Sequence, residues 1–290
     1  MADARSESSQ SWAAVIVNYN AGAALAPCVA SVLAQEPPAE IVVVDNDSKD
    51  GSPDGLPPAV GVIRTGHNLG YARGANLGIA ATRAPIVAVL NPDTALAPGA
   101  ASALLARFAA EPDLGAAGPQ LRNPDGSVYP SARQVPSVAD AVGHGLLFFV
   151  WRKNPFTRRY RQTGADPDVR RDVDWVSGAA VWLRREALDS VGGWDERYFM
   201  YVEDVDLCWR LRRAGWRVAY EPGGVVEHLL GVSTAGAPYR MIAEHHRSLL
   251  RFAARRFTGP RRAFLPPAAA FLALRAALAM AHHRIASMSR

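Results

Sequence analysis

The chain has 290 residues, of which 49% are hydrophobic and 20% are charged, and its formal net charge is +5. This length suits one large domain or two small ones, and the apolar content is sufficient for a sizeable core. The two cysteines, Cys28 and Cys208, have no metal-ligand spacing and do not suggest a disulfide framework, so we expect a reducing compartment. Residues 1–11 are polar, lack the apolar core of a signal peptide and are expected to be disordered.

The positive charge is concentrated in two segments. Residues 152–171 carry seven Lys or Arg against two acids, and residues 245–290 carry nine Arg and no acid. The rest of the chain has 16 basic and 25 acidic residues, a net charge of −9. A nucleic-acid-binding protein would spread basic residues over its binding face, so no nucleic-acid partner is expected. Basic segments flanked by apolar residues instead favour contact with an anionic membrane surface.

The first 110 residues alternate between short apolar runs and helical patterns. The apolar runs predict buried strands at residues 12–18, 41–45, 60–65 and 85–90. The intervening patterns predict helices at residues 21–35, 70–82 and 98–110. This alternation is typical of an α/β fold with a mostly parallel central sheet.

Polar residues close three of these strands. Asn18, Asp45 with Asp47, and Asp93 all follow apolar runs. Any one of them could be a capping or turn residue, but their succession favours a shared crevice, since ligands of parallel sheets bind at the carboxyl ends of the strands. Asp45 could accept hydrogen bonds from a base or ribose edge. Asp93 could hold a divalent cation beside a diphosphate.

A glycine-containing segment, residues 67–76, follows the third strand. It lacks the G-x-G-x-x-G fingerprint, so no dinucleotide site is predicted. Gly70 would let the backbone approach a ligand, Asn68 can offer its amide, and Arg73 could pair with a phosphate.

The middle of the chain contains three further signals. Residues 123–133 predict a hairpin around Asp125-Gly126. The apolar residues 145–151 are too few to span a bilayer and precede Arg152 and Lys153; they fit either a core helix or an interfacial element in lipid headgroups. Residues 172–182 predict a strand that lines the crevice, where Gly178 would permit close approach of a substrate.

An aromatic-rich loop precedes a predicted helix at residues 203–214. On a helical wheel Asp206 lies opposite the apolar face, with Arg210 and Arg213 at spacings that suit surface ion pairs. Asp204 projects into the apolar sector instead. The helix dipole alone would favour an acid here, but an inward carboxylate among aromatic residues should have a raised pKa, which suits a general base.

The C-terminal third begins with a strand-like run at residues 223–226, followed by His228. This histidine is either structural or the second donor to a cation held by Asp93. Helices are predicted at residues 238–256 and 264–281. The second is rich in Ala and Leu, contains Arg275 and is interpreted as an amphipathic surface helix rather than a transmembrane one, with a boundary near residue 258.

Taken together, these motifs resemble those of the GT-A inverting glycosyltransferases of family 2, over roughly residues 12–230. The resemblance rests on the Asn18 strand end, the acidic turn after residue 44, residues 67–76, Asn91-Pro92-Asp93, residues 177–179, residues 192–196 and Glu203-Asp204-Val205-Asp206. It implies an α/β, Rossmann-like GT-A domain at residues 12–258. A nucleotide-sugar half would span residues 12–121, an acceptor half residues 122–258, and a basic amphipathic helix that associates with the membrane would follow at residues 259–290.

The resemblance also implies roles for individual residues. Asp204 would be the catalytic base, with Glu203 beside it. Asp93 and His228 would bind Mg²⁺ or Mn²⁺. Asn91 departs from the family pattern, since it stands where the D-x-D motif has its first Asp, so a weaker metal site is expected. The donor residues would be Asn18, Tyr19, Asp45, Asp47, Asn68, Gly70, Arg73, Asn91 and Asp93, and those on the acceptor side Trp175, Ser177, Gly178 and Tyr201.

A narrower resemblance, to actinobacterial rhamnosyltransferases within this family, rests on residues 125–133, 154–157, 160–162 and 195–207. These enzymes make the linker between arabinogalactan and peptidoglycan. The resemblance implies dTDP-L-rhamnose as donor, polyprenyl-diphospho-GlcNAc as acceptor, and a peripheral location on the cytoplasmic face of the plasma membrane. Transfer of another sugar is the alternative. A nucleotidyltransferase, which would not need the basic segments, and a non-catalytic sugar-nucleotide sensor, which would not need an inward Asp204, are more distant ones.

Overall fold

The computed structural model describes residues 12–147, 151, 153–162, 164–229 and 237–288. The N-terminus predicted to be disordered (residues 1–11), and residues 148–150 and 152 of the apolar–basic segment, lie outside this part of the chain.

The strands begin and end as follows: β1 Trp12–Asn18, β2 Glu40–Asp45, β3 Val60–Arg64, β4 Ile86–Leu90, β5 Thr94–Leu96, β6 Leu114–Arg122, β7 Val128–Tyr129, β8 Ala132–Arg133, β9 Arg171–Asp172, β10 Trp175–Val176, β11 Ala180–Arg184 and β12 Arg217–His228. The α-helices are α1 Leu25–Leu33, α2 Tyr71–Ala80, α3 Ala100–Ala110, α4 Val138–Leu147, α5 Pro155–Arg161, α6 Arg185–Val191, α7 Glu203–Arg213, α8 Pro238–Arg256 and α9 Leu265–Met288. Short 3₁₀ turns at Gly22–Ala24 and Gly259–Phe264 lead into α1 and α9.

The central sheet has the strand order β3-β2-β1-β4-β11-β6-β12-β5. Strands β3, β2, β1 and β4 are parallel to one another, as are β6 and β12, whereas β11 runs antiparallel to both β4 and β6, and β5 runs antiparallel to β12. Strands β8 and β10 form a separate antiparallel ribbon. The predicted α/β fold with a mostly parallel sheet is confirmed.

Strand β1 shows why the sheet is buried on both faces. Its alternate side chains Trp12, Ala14 and Ile16 belong to one core cluster, which α1 and α3 cover. Ala13, Val15 and Val17 point the other way into a second cluster, with residues of α2, α6 and α7. Because successive side chains of a strand alternate between faces, a continuous apolar run such as this one fills two cores at once.

The predicted strand at residues 172–182 is interrupted. It divides into β9, β10 and β11, and Ser177-Gly178-Ala179 connects the last two. The predicted hairpin is confirmed: β7 pairs antiparallel with β6, and the Gly126 amide donates to the Asn123 carbonyl in the turn.

The prediction that Asp206 makes surface ion pairs is wrong. Asp206 is fully buried, and its Oδ2 accepts from Arg210 Nε at 2.7 Å and from Arg255 Nη1 at 3.0 Å. Arg213, the other predicted partner, lies instead over the Trp209 ring, 5.0 Å from its centroid. The second guanidinium comes from α8, which the helical pattern of α7 could not reveal.

The C-terminal helix α9 is apolar around its circumference rather than amphipathic. Leu274, Leu278 and Ile285 are all more than half exposed, and on the inner side Arg275 Nη1 lies 2.9 Å from His246 Nε2 of α8. Within the described residues, the stretch Gly259–Ile285 contains an 18-residue window with a mean hydropathy of 1.6 and, by length and composition alone, could cross a membrane.

Candidate active site

The register of β5 against β12 brings an acid and a histidine together at the edge of the sheet. His228 is opposite Thr94 in this pairing, and the Leu229 amide donates to the Asp93 carbonyl at 3.0 Å. As a result His228 Nε2 lies 3.2 Å from Asp93 Oδ1, and both side chains are buried. Two residues that lie far apart in sequence thus form one pair.

His228 Nε2 has two neighbours that require opposite hydrogen-bonding roles of it. The Asn91 amide nitrogen lies 3.3 Å from it and could only donate, whereas the Asp93 carboxylate could only accept. Its other nitrogen, Nδ1, is buried and has no hydrogen-bond partner among the described residues. A cation beside Asp93 would give the Nε2 lone pair a partner, and an amide flip would turn the Asn91 oxygen towards it.

This donor set fits a divalent ion that shares its coordination with a substrate. Within the described residues no group of three or more His, Cys, Asp and Glu side chains could hold a metal ion. Mg²⁺ and related ions are commonly held by one or two protein carboxylates together with substrate phosphates. Asp93 and His228 therefore match a metal site that a diphosphate completes.

A strained turn places the acidic end of α7. Tyr201 and Val202 both have left-handed backbone conformations, with φ of 66° and 68°, and the helix begins at the next residue. A β-branched residue such as Val202 rarely adopts this conformation, and strain of this kind clusters at functional sites. The first turn of α7 carries Glu203, Asp204 and Asp206, where the helix dipole favours negative charge.

Two backbone amides hold the Asp204 carboxylate. Gly178 N donates to Oδ2 at 2.9 Å, and Val205 N donates to Oδ1 at 2.8 Å. A Cβ added to Gly178 would lie 3.2 Å from the Asp204 Cβ, so the glycine permits a close approach of this side chain. Burial raises the pKa of Asp204, and the two amide donors work against that rise. The carboxylate is thus fixed in position and made more basic than an exposed aspartate.

Glu203, beside it, has different surroundings. Its side chain is buried, and its Oε2 has no hydrogen-bond partner in the described part of the chain. Burial and then the charge of Asp204 raise the pKa of Glu203 well above its usual value. Because only Asp204 has donors that stabilise its charged form, the pair carries its negative charge on Asp204 and its proton on Glu203.

Tyr71 lies between the acids of α7 and Asp93 at the sheet edge. Its hydroxyl donates to the Gly178 carbonyl at 2.5 Å. Its pKa is raised well above the usual value, first by burial and then by its acidic neighbours Glu203, Asp204 and Asp93. All three carboxyl groups therefore lie within electrostatic reach of one buried hydroxyl.

A single cavity of about 990 Å³ connects these groups. Its lining includes Asp93 and His228 from the sheet edge and Glu203 and Asp204 from α7. The predicted acceptor residues Trp175, Ser177, Gly178 and Tyr201 also line it, as do the predicted donor residues Tyr19, Asn68, Gly70 and Asn91. The predicted base, Asp204, and the predicted metal ligands, Asp93 and His228, thus line the same cavity.

Three predicted donor residues lie beside this cavity rather than in its lining. Asn18 Nδ2 donates to Asp45 Oδ1 at 3.0 Å, and both side chains are buried. Asp47 has a left-handed backbone and pairs with Lys49 at 2.6 Å. The Asn18–Asp45 bond ties together the ends of β1 and β2, so the structure gives these residues a structural contact, and their nucleotide contacts stay predictions.

The segment after β3 makes contacts within the protein, and its predicted contacts with a ligand stay predictions. A Cβ on Gly70 would lie 2.5 Å from the Phe199 carbonyl oxygen, so this glycine lets the backbone approach the loop before α7. Asn68 accepts from the Gly70 amide at 2.9 Å. Arg73 does not line the cavity; its Nε donates to Glu196 at 2.9 Å and its side chain is half exposed. The structure therefore provides no support for a diphosphate contact by Arg73.

Three lining residues were missed by the sequence analysis. Asn46 donates to the Gly70 carbonyl, and its position in the acidic turn was a signal that could have found it. Tyr71 and Arg133 are also in the lining. No local pattern marks Arg133, because two of the aromatic rings around it, Tyr160 and Trp175, come from other segments of the chain.

Comparison with known proteins agrees with this geometry. The chain matches the model of glycosyl transferase family 2 over residues 13–192. It is 42% identical over 260 residues to the N-acetylglucosaminyl-diphospho-decaprenol L-rhamnosyltransferase of Mycobacterium tuberculosis, and the match covers 84% of each chain. It is also 31% identical to the rhamnosyltransferase WbbL of Escherichia coli, over 43% of this chain and 45% of that protein.

Solved structures share the fold at low sequence identity. The mannosyltransferase PcManGT from Pyrobaculum calidifontis, in complex with GDP-Man and Mn²⁺, has a TM-score of 0.59 and 18% identity over 93% of this chain and 75% of that chain. GalNAc-T7, with UDP, GalNAc and Mn²⁺, has a TM-score of 0.62 and 16% identity over 85% of this chain and 48% of that chain. The fold is therefore of the GT-A type.

Proposed function

Because the chain belongs to glycosyl transferase family 2, we propose that it transfers L-rhamnose from dTDP-L-rhamnose to polyprenyl-diphospho-GlcNAc, with inversion at the anomeric carbon. The observation that carries this proposal is the shared cavity, in which an inward carboxylate on α7 accompanies the Asp93–His228 pair. The similarity to a mycobacterial rhamnosyltransferase over most of both chains supports the choice of sugar and acceptor.

In this mechanism Asp204 is the general base. Its carboxylate takes a proton from a GlcNAc hydroxyl as the hydroxyl oxygen attacks the anomeric carbon of rhamnose. One in-line displacement inverts that carbon and needs no covalent enzyme intermediate, so a single positioned carboxylate suffices. The amides of Gly178 and Val205 hold this carboxylate in place before the acceptor arrives.

Asp93 and His228 would hold Mg²⁺ or Mn²⁺, with the Asn91 amide oxygen as a further donor. The ion, when bound, supplies charge stabilisation to the departing dTDP. The protein's own contribution is a buried acid and imidazole 3.2 Å apart at the carboxyl end of the sheet, where nucleotide diphosphates bind in open α/β folds.

We place the enzyme at the membrane, on its cytoplasmic face. A polyprenyl acceptor is anchored in lipid, and the exposed apolar residues of α9 provide a surface for contact with it. The buried free thiols of Cys28 and Cys208 are compatible with a reducing compartment.

A transfer assay with the full chain in detergent tests this proposal. We expect Mn²⁺-dependent addition of one deoxyhexose to polyprenyl-diphospho-GlcNAc from dTDP-L-rhamnose, detected by mass spectrometry, and release of dTDP. The donor panel includes UDP-galactofuranose, UDP-glucose and GDP-mannose. Transfer from one of these but not from dTDP-L-rhamnose would refute the proposed sugar.

Incubation with dTTP and a sugar phosphate, and a measurement of nucleotide-sugar binding, distinguish the more distant alternatives. A nucleotidyltransferase would release diphosphate from dTTP in the presence of a sugar phosphate. A non-catalytic sensor would bind the nucleotide sugar tightly without transfer to any acceptor. Either result would contradict the proposed reaction.

A further inference from the structure

The catalytic cavity extends far beyond the sheet edge. Besides the residues described above, its lining includes side chains of α4, α5, α8 and α9. We name this part of the cavity the helical chamber. Its apolar lining includes Leu249, Phe252, Phe257, Phe264, Phe271 and Leu272. At about 990 Å³ the whole cavity is at the upper end of ligand pockets, and a nucleotide sugar at the sheet edge does not account for a lining of this kind.

The charge of the lining is divided between the two parts. The sheet edge and α7 contribute Asp93, Glu203 and Asp204. Among the described residues, the lining between residues 129 and 160 and between residues 237 and 275 contains no Asp or Glu, but four arginines: Arg133, Arg240, Arg256 and Arg275. A cavity that is acidic where the cation and base lie, and basic where the walls are apolar, is complementary to a ligand with an anionic group on an apolar chain.

Arg133 is the most enclosed of these cations. It is only 9% exposed, and its guanidinium carbon lies 5.0 Å, 5.4 Å and 5.6 Å from the ring centroids of Trp175, Tyr160 and Tyr129. Neutral oxygens hold it: Nε donates to the Pro130 carbonyl, Nη1 to the Tyr160 hydroxyl and Nη2 to the Tyr129 hydroxyl.

Within the described residues no carboxylate lies within ion-pair distance of Arg133, so it has no direct counter-ion. A buried charge without a counter-ion is costly, and burying cations unpaired is rare unless an anion completes the site. These three hydrogen bonds use three of the five guanidinium N–H groups and fix the orientation of the guanidinium. The remaining donors are available to a phosphate, which guanidinium groups bind through paired hydrogen bonds.

Backbone pairing places this guanidinium next to the base. Arg133 is opposite Trp175 in the β8–β10 ribbon, and the Ser177 amide donates to the Ser131 carbonyl at 2.8 Å. The next residue, Gly178, donates to Asp204. The positive charge of Arg133 accordingly acts on Asp204, lowering its pKa against the larger effect of burial. An anion on Arg133 would thus lie near the catalytic carboxylate.

The chamber also reaches the protein surface among apolar residues. Phe264 lines it and is 58% exposed. Val142 also lines it and is 40% exposed, and Leu146, one turn further along α4, is exposed as well. A long hydrocarbon chain could therefore leave the chamber through an apolar opening rather than through a polar one.

From these features we infer that the helical chamber binds the diphosphate and the first isoprene units of the lipid-linked acceptor, with the diphosphate on Arg133. This inference rests on the proposed function, because it assigns a subsite to the acceptor. Arg240, Arg256 and Arg275 add positive charge around the diphosphate, and the phenylalanines of α8 and α9 enclose the hydrocarbon. The GlcNAc attached to the diphosphate then faces Asp204.

Binding of farnesyl diphosphate by isothermal titration calorimetry tests the inference without turnover. The full chain is titrated in EDTA, so that the probe cannot use a metal at Asp93. We expect farnesyl diphosphate to bind at least tenfold more tightly than either inorganic diphosphate or farnesol, because only it fills both the cation site and the apolar walls. Equal binding of farnesyl diphosphate and inorganic diphosphate would overturn the inference.

Two variants and a matched control assign the parts of the site. Arg133→Gln should weaken farnesyl diphosphate binding roughly 10- to 100-fold, the size expected for charge-assisted hydrogen bonds. Ala268→Trp, which fills the chamber from α9, should weaken farnesyl diphosphate but not inorganic diphosphate. Arg247→Gln, at a residue paired with Glu244 on the exposed face of α8, should bind like the wild type.

Binding of dTDP with Mn²⁺ shows which variants are folded. If Arg133→Gln loses dTDP binding, it is not folded, and the inference is then judged on farnesyl diphosphate binding by Ala268→Trp. Unchanged affinity for farnesyl diphosphate in the folded variants would contradict the assignment. Rhamnosyl transfer without the expected farnesyl diphosphate binding would refute the chamber alone, whereas the expected binding without any rhamnosyl transfer would refute the proposed function.

Discussion

Glu203 and Asp204 are neighbours in sequence, but their carboxyl groups are surrounded differently. Asp204 accepts two backbone hydrogen bonds, whereas Glu203 Oε2 has no partner among the described residues. The protonated Glu203 that follows from this difference has a measurable effect on stability. A buried acid with a raised pKa keeps its proton in the folded state while the unfolded chain has already lost it.

The pH dependence of stability therefore has a definite sign. Above the unfolded-state pKa of a glutamate, about 4.3, the folded state binds more protons, so stability decreases as pH rises towards the raised folded-state pKa. The slope is about 1.4 kcal/mol per pH unit while Glu203 alone holds its proton. Glu203→Gln removes this pH-dependent contribution. The Tm of the variant minus the Tm of the wild type should therefore become more positive from pH 5 to pH 8.

Differential scanning fluorimetry across this range measures the effect. Glu186→Gln, at an exposed glutamate of α6, is the matched control and should show no such increase. A Tm difference for Glu203→Gln that is constant or decreases with pH would show that Glu203 is ionised in the folded protein.

Substitutions at the metal site are expected to change Mn²⁺ affinity in both directions. His228→Ala removes one of the three side-chain donors and should weaken Mn²⁺ binding, measured in the presence of dTDP, by at least about tenfold. In the wild type the Asn91 amide nitrogen lies 3.3 Å from His228 Nε2. Asn91→Asp places a carboxylate at this position and should therefore tighten Mn²⁺ binding. Unchanged Mn²⁺ affinity in both variants would place the ion elsewhere.

Among the elements, α7 depends on a buried ionic cluster that also anchors α8. Arg255 donates to Asp206 at 3.0 Å and to Asp195 at 2.6 Å, and Arg210 donates to Asp206 at 2.7 Å. Tyr198 also donates to Asp206, at 3.2 Å. Removing one side of a buried ion pair leaves the other side as an uncompensated charge.

We therefore expect Asp206→Ala to destabilise the protein by about 3–5 kcal/mol. Asp189→Ala, at an exposed position of α6, should have an effect within about 0.5 kcal/mol. Urea denaturation curves measure both. A loss of less than about 1 kcal/mol for Asp206→Ala would mean that the cluster contributes no more than a surface ion pair.

The elements also show what local sequence can and cannot predict. Strand β1 and helix α8 have the predicted bounds, because an apolar run that is buried on both faces and a periodic helix are local patterns. The break at Gly178 was missed because it depends on contact with Asp204, 26 residues away. Asp206 was misplaced for the same reason, since its partner Arg255 lies 49 residues further along the chain.

The candidate site was predictable to the same extent. The acids at strand ends and on the first turn of α7 could be identified from their positions. Of these, Asp93, Glu203 and Asp204 line the cavity, whereas Asp45 and Asp47 do not. The pairing of Asp45 with Asn18, and of Arg73 with Glu196, depends on side-chain geometry that no spacing encodes. The place of Arg133 in the site could not be predicted, because the three aromatic rings around it come from three separate segments of the chain.

For the whole molecule, the outward face of α9 is the feature that relates the enzyme to its lipid acceptor. Leu274 and Leu278 are 59% and 51% exposed. Replacing both with Glu puts charge on this face, so recovery with anionic liposomes in a flotation assay should fall several-fold while dTDP binding is retained. Leu77→Glu, at an exposed leucine of α2, is the control and should float like the wild type. Equal recovery of the double variant would exclude α9 as the membrane contact.

The proposed mechanism depends on the Asp204 carboxylate, which acts on the acceptor in the cavity that Asp93 and His228 also line. The most direct measurement is rhamnosyl transfer by Asp204→Asn, compared with its affinity for dTDP in the presence of Mn²⁺. Asparagine keeps the size of the side chain but cannot take a proton, so we predict a decrease in kcat of at least about 100-fold, with dTDP affinity within about twofold of the wild type. An Asp204→Asn enzyme that transfers rhamnose at the wild-type rate would contradict the account.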